Sequence, residues 1–211
     1  MTILALEFSS DRRSVALVRD SEILSEAAEQ MAARGTNAFG LTEKVLAEAN
    51  ISRTEIEAIA VGLGPGSYTG IRAAIAIAQG WHLATGAKLH GVSSVEAVAL
   101  ESQATGIFGT VNVVIDAQRG EFYLSRWELA ENLREEIAPL KIVSAAEIQS
   151  LKMAAEICVG PEMERILFPS AAKVAQLATR QTDISTVAEL EPIYLREANF
   201  VKSTPPKIVV G

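Results

Sequence analysis

The second half of the chain repeats the order of elements found in the first half. The apolar run TILALEF, the polar turn DRR and the returning run SVALVRD predict a hairpin near the N-terminus. The segment TVNVVIDAQRGEFYLSRWEL predicts a second hairpin, in which Asp116 takes the position that Glu7 holds in the first. Each half then continues with a buried strand that ends in Gly-Pro, EAIAVGLGP and AAEICVGP. Self-similarity on this scale predicts two related lobes that arose by duplication.

Helical patterns separate the strands in both halves. Apolar residues at spacings of three and four predict a helix over Ala38–Ala49, with Asn37 as its N-cap, and a second helix from Ser67 to about Thr85. The segment PSAAKVAQLATRQ supplies a helix in the second half. Strands that alternate with helices predict an α/β fold of mixed sheets flanked by helices, in duplicated βββαβα lobes. This is the plan of the two-lobed actin-like and Hsp70-like ATPase (ASKHA) fold.

The 211 residues, about half of them apolar, are enough for two small lobes that each bury a core. We expect an N-terminal lobe over residues 1–106 and a C-terminal lobe over 107–211, whose last helix can pack back on the first lobe. Ser94 is the predicted cap of the helix VEAVALES, near the end of the first lobe. No apolar run approaches the roughly 20 residues that a bilayer requires, so a membrane protein is not expected.

Charge and cysteine content narrow the environment and the partners. The net charge of −7 argues against strong binding of nucleic acid by this chain alone, because basic side chains supply most non-specific affinity for phosphates. If a nucleic acid is the substrate, a partner is expected to hold it. A single cysteine, Cys158, excludes an internal disulfide framework and suits a reducing compartment. We therefore expect the protein in the cytoplasm.

The stretch GLGPGSYTG has the glycine content of a phosphate-binding loop but lacks the residues that grip a phosphate. It has no Gly-Lys-Ser/Thr ending, so no lysine is offered to a nucleotide. We interpret the stretch as a tight turn from a strand into a helix, with anion binding by the helix start as the alternative.

Five segments occur in an order and spacing typical of the TsaB (YeaZ) family. They are ILALEFSSDRRSVALV, GPGSYTGIRAAIAIAQGW, GVSSVEAVA, IDAQRGEFYLSRW and PIYLREA, and the chain resembles this family over most of its length. Members share the actin-like fold and are paralogues of TsaD, the catalytic subunit of bacterial tRNA threonylcarbamoyladenosine (t6A) synthesis. The resemblance implies a non-catalytic partner that activates TsaD in transferring the threonylcarbamoyl group to adenosine 37 of ANN-decoding tRNAs. It also implies a complex with TsaE, a homodimer in isolation, and contact with tRNA only through the complex.

The helix that follows the GLGPGSYTG turn is apolar nearly all round, so it must be covered on more than one side. The alternatives are the helix Ala38–Ala49 of the same chain and, as the resemblance implies, a helical surface shared with TsaD or a second copy. The predicted interface consists of small and apolar residues of both helices: Phe39, Thr42, Leu46, Gly70, Ala73, Ala74, Ile77 and Trp81.

A nucleotide site would lie at the two hairpin turns, which face the phosphates in actin-like folds. The acidic residues there, Glu7 and Asp116, would act through a bound cation, and the alternative is that both only end buried strands. The family usually has aspartate at the first of these positions, whereas this chain has glutamate followed by phenylalanine. Ser9, Arg119 and Glu121 are the other candidates for the nucleotide or the cleft. No tightly bound cofactor is expected, and ATP or ADP would sit at the interface of the complex.

No catalytic or metal site is predicted in the sequence. His82 and His90 are not spaced to share one helical face, and Gly86 breaks the helix between them. Cys158 lies in an apolar run, which is typical of an unreactive buried thiol. The serines lack the Gly-x-Ser-x-Gly context of a nucleophile. Two other classes stay open: an independent actin-fold ATPase or kinase, which the missing lysine loop disfavours, and a metallopeptidase-like enzyme, which the histidine count disfavours.

Overall fold

Two five-stranded mixed sheets, one from each half of the chain, form the framework of the molecule. The computed structural model describes residues 1–30, 37–181 and 190–195. Sheet 1 contains β1 (Thr2–Glu7), β2 (Arg12–Arg19), β3 (Glu22–Gln30), β4 (Ala58–Gly62) and β5 (Lys88–Val92). Sheet 2 contains β6 (Gly109–Asp116), β7 (Glu121–Ala130), β8 (Leu133–Ser144), β9 (Ile157–Gly160) and β10 (Arg165–Ile166).

The two sheets have equivalent strand orders: β3-β2-β1-β4-β5 in sheet 1 and, read from the corresponding edge, β8-β7-β6-β9-β10 in sheet 2. In sheet 1, β1 pairs antiparallel with β2, placing Leu4 opposite Leu17, and parallel with β4 on its other side. In sheet 2, β6 pairs antiparallel with β7 and parallel with β9 in the same way. The predicted duplicated α/β architecture is therefore confirmed, with the two acidic residues Glu7 and Asp116 at the ends of equivalent central strands.

Five α-helices flank the sheets in the described part of the chain: α1 (Ala38–Ala49), α2 (Tyr68–Thr85), α3 (Ser94–Ala104), α4 (Ala145–Met153) and α5 (Ala171–Ala178). The predicted cap of α1 is confirmed, because Asn37 accepts a hydrogen bond from Gly40 N. Ser67, which was predicted as the first residue of α2, is instead its N-cap and accepts a hydrogen bond from Gly70 N. The prediction for α3 was wrong by one residue. Ser93 is its N-cap, and Ser94 is its first helical residue. The Ser94 hydroxyl donates a hydrogen bond to the buried carboxylate of Glu7.

Each half of the chain contributes one helix that packs on the sheet of the other half. Helices α1 and α2 share one core with one face of sheet 1, and α5, from the second half, packs on the opposite face. Helix α3, from the first half, packs on sheet 2 and also touches α5. The start of α5 is fixed to sheet 1 by a hydrogen bond of 2.8 Å from Ala171 N to Ser14 Oγ. The lobes are thus held together by packing as well as by the connection near residue 106.

The segment over residues 190–195 returns to the first lobe without regular secondary structure. Leu190 is buried in the core that α1 and α2 share, and Ile193 N donates a hydrogen bond of 2.9 Å to Leu63 O. The end of the segment PIYLREA, from residue 196 on, and the rest of the C-terminal lobe's predicted range lie outside the described residues. No helix in the described part of the chain has both the length and the apolarity to cross a bilayer.

Candidate functional site

A cleft with a volume of about 380 Å³ lies between the two lobes, at the ends of the central strands. Four turns form its walls: the first hairpin turn, the turn that leads into α2, the turn between β6 and β7, and the turn that follows β9. The lining is mostly polar and consists of Ser9, Ser10, Asp11, Gly66, Ser67, Tyr68, Ile115, Asp116, Ala117, Gln118, Tyr123, Pro161 and Glu162. This is the position that a nucleotide takes in the predicted fold.

The cleft is acidic. Asp11, Asp116 and Glu162 line it, and within the described part of the chain no lysine or arginine does. Burial, together with the negative charges of Asp116 and Asp11, raises the pKa of Glu162. Asp116 accepts hydrogen bonds from the backbone and side-chain amides of Gln118, at 2.8 and 2.7 Å. Such a cleft repels the phosphates of a nucleotide unless cations accompany them.

The predicted cleft residues divide between the cleft and its surroundings. Ser9 and Asp116 line it, whereas Glu7 lies buried beneath it. Arg119, in the β6–β7 turn, and Glu121, the first residue of β7, lie outside the lining. Asp11 and Glu162 were missed. A signal for Glu162 was present, because it follows the Gly-Pro that ends β9 just as Gly-Pro follows β4 in the first lobe.

Glu7 ties three segments together from inside the first lobe. Its side chain is fully buried, and its carboxylate accepts hydrogen bonds from Ser9 N and Ser94 Oγ, both 2.7 Å long. Gly64 N donates to the same Ser94 Oγ, at 3.0 Å. A Cβ on Gly62 would lie 1.8 Å from Glu7 Oε2, so a larger residue there would have to displace the carboxylate. Glu7 therefore links β1, the turn before α2 and the start of α3.

Burial raises the pKa of Glu7, although its hydrogen bonds act in the opposite direction. A carboxyl group whose pKa is raised on folding stabilises the fold below about pH 4.5, the value of the unfolded chain. That contribution is lost as the pH rises through the pKa of the folded state. At neutral pH the buried carboxylate therefore lowers the free energy of unfolding, and its hydrogen bonds only partly offset this loss.

We expect Glu7→Gln to flatten the pH dependence of stability above about pH 4.5, because the buried group no longer loses a proton. The measurement is urea denaturation of both proteins between about pH 4.5 and 8, comparing the free energies of unfolding. Glu135→Gln, at an exposed position of β8, is the control for removing one carboxylate. A Glu7→Gln profile parallel to that of the wild type would contradict the expectation.

The GLGPGSYTG turn packs backbone against backbone on the first hairpin turn. Ser67 N donates a hydrogen bond of 2.6 Å to Ser9 O. Gly66 has a φ of +147°, which favours glycine, and a Cβ there would lie 2.1 Å from the same carbonyl oxygen. A Cβ on Gly70 would lie 2.0 Å from Phe8 O. These glycines serve close approach of two chain segments, as the interpretation of a tight turn into α2 requires.

The eight residues predicted for a partner interface fall into two groups. Thr42, Leu46, Gly70 and Ala74 are buried inside the first lobe, so the structure removes them from the predicted surface. They are buried because α1 and α2 turn these positions toward sheet 1. Phe39 and Ala73 are exposed, and Ile77 and Trp81 are partly exposed at the edge of the same core.

Exposed apolar residues lie on the outer sides of α1 and α2, and together they are here called the helical surface. It consists of Phe39 on α1 and of Ala73, Ala76, Ile77, Gly80 and Leu83 on α2. Phe39 is 75% exposed and Leu83 is 81% exposed, values that are high for large apolar side chains. Ala76, Gly80 and Leu83 were not among the predicted interface residues, although their spacing in the sequence places them beside Ala73.

Other chemistry-bearing side chains occupy structural positions. His82 Nδ1 lies 2.8 Å from Ala87 O at the end of α2, and burial lowers the pKa of His90 in β5. Cys158 is buried, and burial raises the pKa of its thiol. Among the residues that the structure describes, no three histidine, cysteine or acidic side chains are grouped to hold a metal ion.

Comparison with known proteins identifies a family. The family model of TsaD, described as tRNA N6-adenosine threonylcarbamoyltransferase, matches residues 30–201. The tRNA threonylcarbamoyladenosine biosynthesis protein TsaB of Bacillus subtilis is 26% identical over 70% of this chain and 64% of its own length. The TsaB protein of Escherichia coli is 32% identical over 63% of this chain and 57% of its own length. The match thus spans less than two thirds of either relative.

A solved structure shows the same fold. YeaZ from Pseudomonas aeruginosa superposes with a TM-score of 0.77, over 92% of this chain and 99% of that chain, at 22% sequence identity. The match extends over both lobes, and the predicted actin-like architecture is confirmed.

Proposed function

The chain is a member of the TsaB (YeaZ) family, and from this membership we propose that it is a non-catalytic subunit of the machinery that makes t6A in tRNA. In this role it binds and activates TsaD, which transfers the threonylcarbamoyl group to adenosine 37 of ANN-decoding tRNAs. TsaE completes the complex, tRNA is bound only through the complex, and two copies of the chain pair when TsaD is absent. The complex works in the cytoplasm.

The observation that carries this proposal is the helical surface. Helix α2 has 18 residues, none of them acidic, and Arg72 is its one arginine or lysine. Exposed apolar surface of this kind is characteristic of protein–protein contact sites, and small side chains such as Ala73, Ala76 and Gly80 allow two helices to approach closely. A paralogue with the same fold presents equivalent helices, which supports pairing of like with like.

The acidic cleft supports a subunit that does no chemistry of its own. Its carboxylates, Asp11, Asp116 and Glu162, oppose binding of a polyphosphate, and Glu7 engages Ser9 N at the turn where an actin-like protein would hold a phosphate. If the assembly holds ATP or ADP, this charge pattern favours a position at the interface of the complex over this cleft.

Reconstitution tests the proposal. The purified chain is combined with cognate TsaD, TsaE, ATP, threonylcarbamoyl-adenylate and an ANN-decoding tRNA, and t6A is measured in digested tRNA by liquid chromatography. We expect t6A to form over repeated turnovers only in the full mixture, and the chain to co-elute with TsaD in size-exclusion chromatography. Mixtures that lack this chain are the control.

Two outcomes would contradict the proposal. One is equal t6A formation by TsaD with and without the chain. The other is rapid ATP hydrolysis by the chain alone, which would favour an independent actin-fold ATPase or kinase. Loss of that hydrolysis in Asp116→Asn would then assign it to the cleft, because Asp116 is a carboxylate of the lining at the end of a central strand.

A further inference from the structure

Three side chains form a stack at the start of α2, where the helical surface meets the rim of the cleft. The rings of Tyr68 and Tyr194 lie 5.2 Å apart at an angle of 26°, in a stacked arrangement. The guanidinium of Arg72 lies 5.1 Å from the centroid of the Tyr68 ring and donates a hydrogen bond to the Tyr68 hydroxyl. Both tyrosines keep a large exposed area, 55% for Tyr68 and 38% for Tyr194.

The stack is held from below by two segments of the chain that lie far apart in the sequence. The hydrogen bond from Ile193 N to Leu63 O and the buried side chain of Leu190 hold Tyr194 in place. Tyr68 is the first residue of α2, whose N-cap Ser67 is bonded to the first hairpin turn. Arg72 is therefore held in one orientation before any partner arrives, which lowers the entropy lost when it forms a contact.

Arg72 presents a positive charge that no carboxylate neutralises among the described residues. Arg19, Arg53, Arg126 and Arg134 each form an ion pair with a glutamate, whereas Arg72 forms none with residues 1–30, 37–181 or 190–195. Its polar contact is the Tyr68 hydroxyl, and Tyr194 stays neutral because burial raises the pKa of Tyr194 to about 12. An oriented cation thus borders an otherwise apolar surface.

We propose that the stack of Arg72, Tyr68 and Tyr194 receives a carboxylate from the protein that covers the helical surface. The inference rests on the proposed function and adds to it the charge that the partner must carry at this point of contact. Arginine and tyrosine are the residue types that most often carry binding energy at interfaces, and a planar guanidinium binds a carboxylate through two parallel hydrogen bonds. Covering by the partner would shield this ion pair from water and strengthen it.

A protein carboxylate suits this position better than an RNA phosphate. Tyr68 also lines the cleft, so the carboxylates of Asp11, Asp116 and Glu162 lie on the other side of the stack. They would repel the phosphate chain of an RNA, whose contacts depend on many basic residues together. A single carboxylate on a largely apolar protein surface meets Arg72 without entering the cleft.

The test is the affinity of the full-length chain for cognate TsaD, measured by calorimetry at about 50 mM and 500 mM NaCl. We expect Arg72→Gln to weaken binding at least about tenfold at the lower salt concentration, and the difference to shrink at the higher one. The affinity of Arg72→Lys for TsaD should lie between those of the wild type and Arg72→Gln, because lysine keeps the charge but loses the planar contacts. Arg165→Gln, at an exposed position of β10, controls for the loss of one positive charge.

Four results would overturn the inference. The first is binding of Arg72→Gln as tightly as the wild type, and the second is a loss that persists unchanged at high salt. The third is an equal loss in Glu197→Gln, which would assign the carboxylate to this chain itself. The fourth is tRNA binding by the chain alone that depends on Arg72, with TsaD binding intact. If the wild type itself does not bind TsaD, the proposed function fails instead.

Discussion

We expect Gly70→Ala to lower the free energy of unfolding by more than about 3 kcal/mol. We expect Gly80→Ala, the same substitution ten residues later in α2, to raise it by about 0.5–1 kcal/mol. Both glycines lie inside the helix, where alanine is intrinsically favoured. Their environments give the two substitutions opposite signs.

The difference arises from what a methyl group would meet. At Gly70 a Cβ would lie 2.0 Å from Phe8 O and 3.1 Å from the guanidinium of Arg13. The backbone oxygen cannot move without shifting the end of β1, where Glu7 and Ser9 are hydrogen bonded to each other. At Gly80 a Cβ would have no atom within 4 Å, so only the gain in helix propensity is felt.

Urea denaturation of the two variants and the wild type, at low protein concentration to keep the chain monomeric, measures both effects. Ser67→Ala is a useful third variant, since loss of the N-cap of α2 should cost about 1 kcal/mol. Equal stabilities of Gly70→Ala and Gly80→Ala would show that the first hairpin turn and α2 do not pack as the structure has them.

Many of the strands and helices were predictable because their signals are local. Continuous apolar runs marked β1, β4 and β6, and apolar spacing after Asn37 marked α1. The duplication extended these local signals to the whole architecture, since the second hairpin repeats the first. The missing lysine also sufficed to interpret GLGPGSYTG as a turn and not a phosphate loop.

The inner and outer sides of α2 were not predictable in the same way. The helix is apolar nearly all round, so periodicity does not tell Ala73, which is exposed, from Ala74, which is fully buried. The direction is set by sheet 1, whose residues lie far away in the sequence. The packing of α3 on sheet 2 and the approach of Glu162 to the cleft likewise depend on long-range packing that spacing does not encode.

Glu7, which stands where the family usually has aspartate, makes contacts that depend on the tertiary structure. Glutamate at position 7 reaches back to accept the Ser9 backbone amide and also the Ser94 hydroxyl at the start of α3. The sequence showed the longer side chain but not these partners, because Ser94 lies 87 residues away. Glu7 therefore has a structural role in joining β1, α3 and the turn before α2, and its role toward a nucleotide stays a prediction.

Substitutions at two neighbouring alanines of α2, Ala73 and Ala74, separate an effect on partner binding from an effect on folding. The substitution at Ala73 has the largest effect that we expect on association. We expect Ala73→Glu to weaken binding to TsaD by at least about a hundredfold, because an apolar contact would have to bury an unpaired charge. Its free energy of unfolding should stay within about 0.5 kcal/mol of the wild type, because the side chain is exposed and glutamate favours helices.

Ala74→Glu is the matched control with the opposite result. Ala74 is 0% exposed and lies in the core that α1 and α2 share with sheet 1. A carboxylate there would have no room and no partner, so we expect a loss of more than about 4 kcal/mol, a large share of the stability of a small domain. Circular dichroism and thermal melting of the two variants, together with calorimetric binding of Ala73→Glu to TsaD, check both expectations. Tight binding by a folded Ala73→Glu would show that the partner of this chain docks elsewhere, since a charge at the middle of α2 cannot be accommodated inside a close apolar contact.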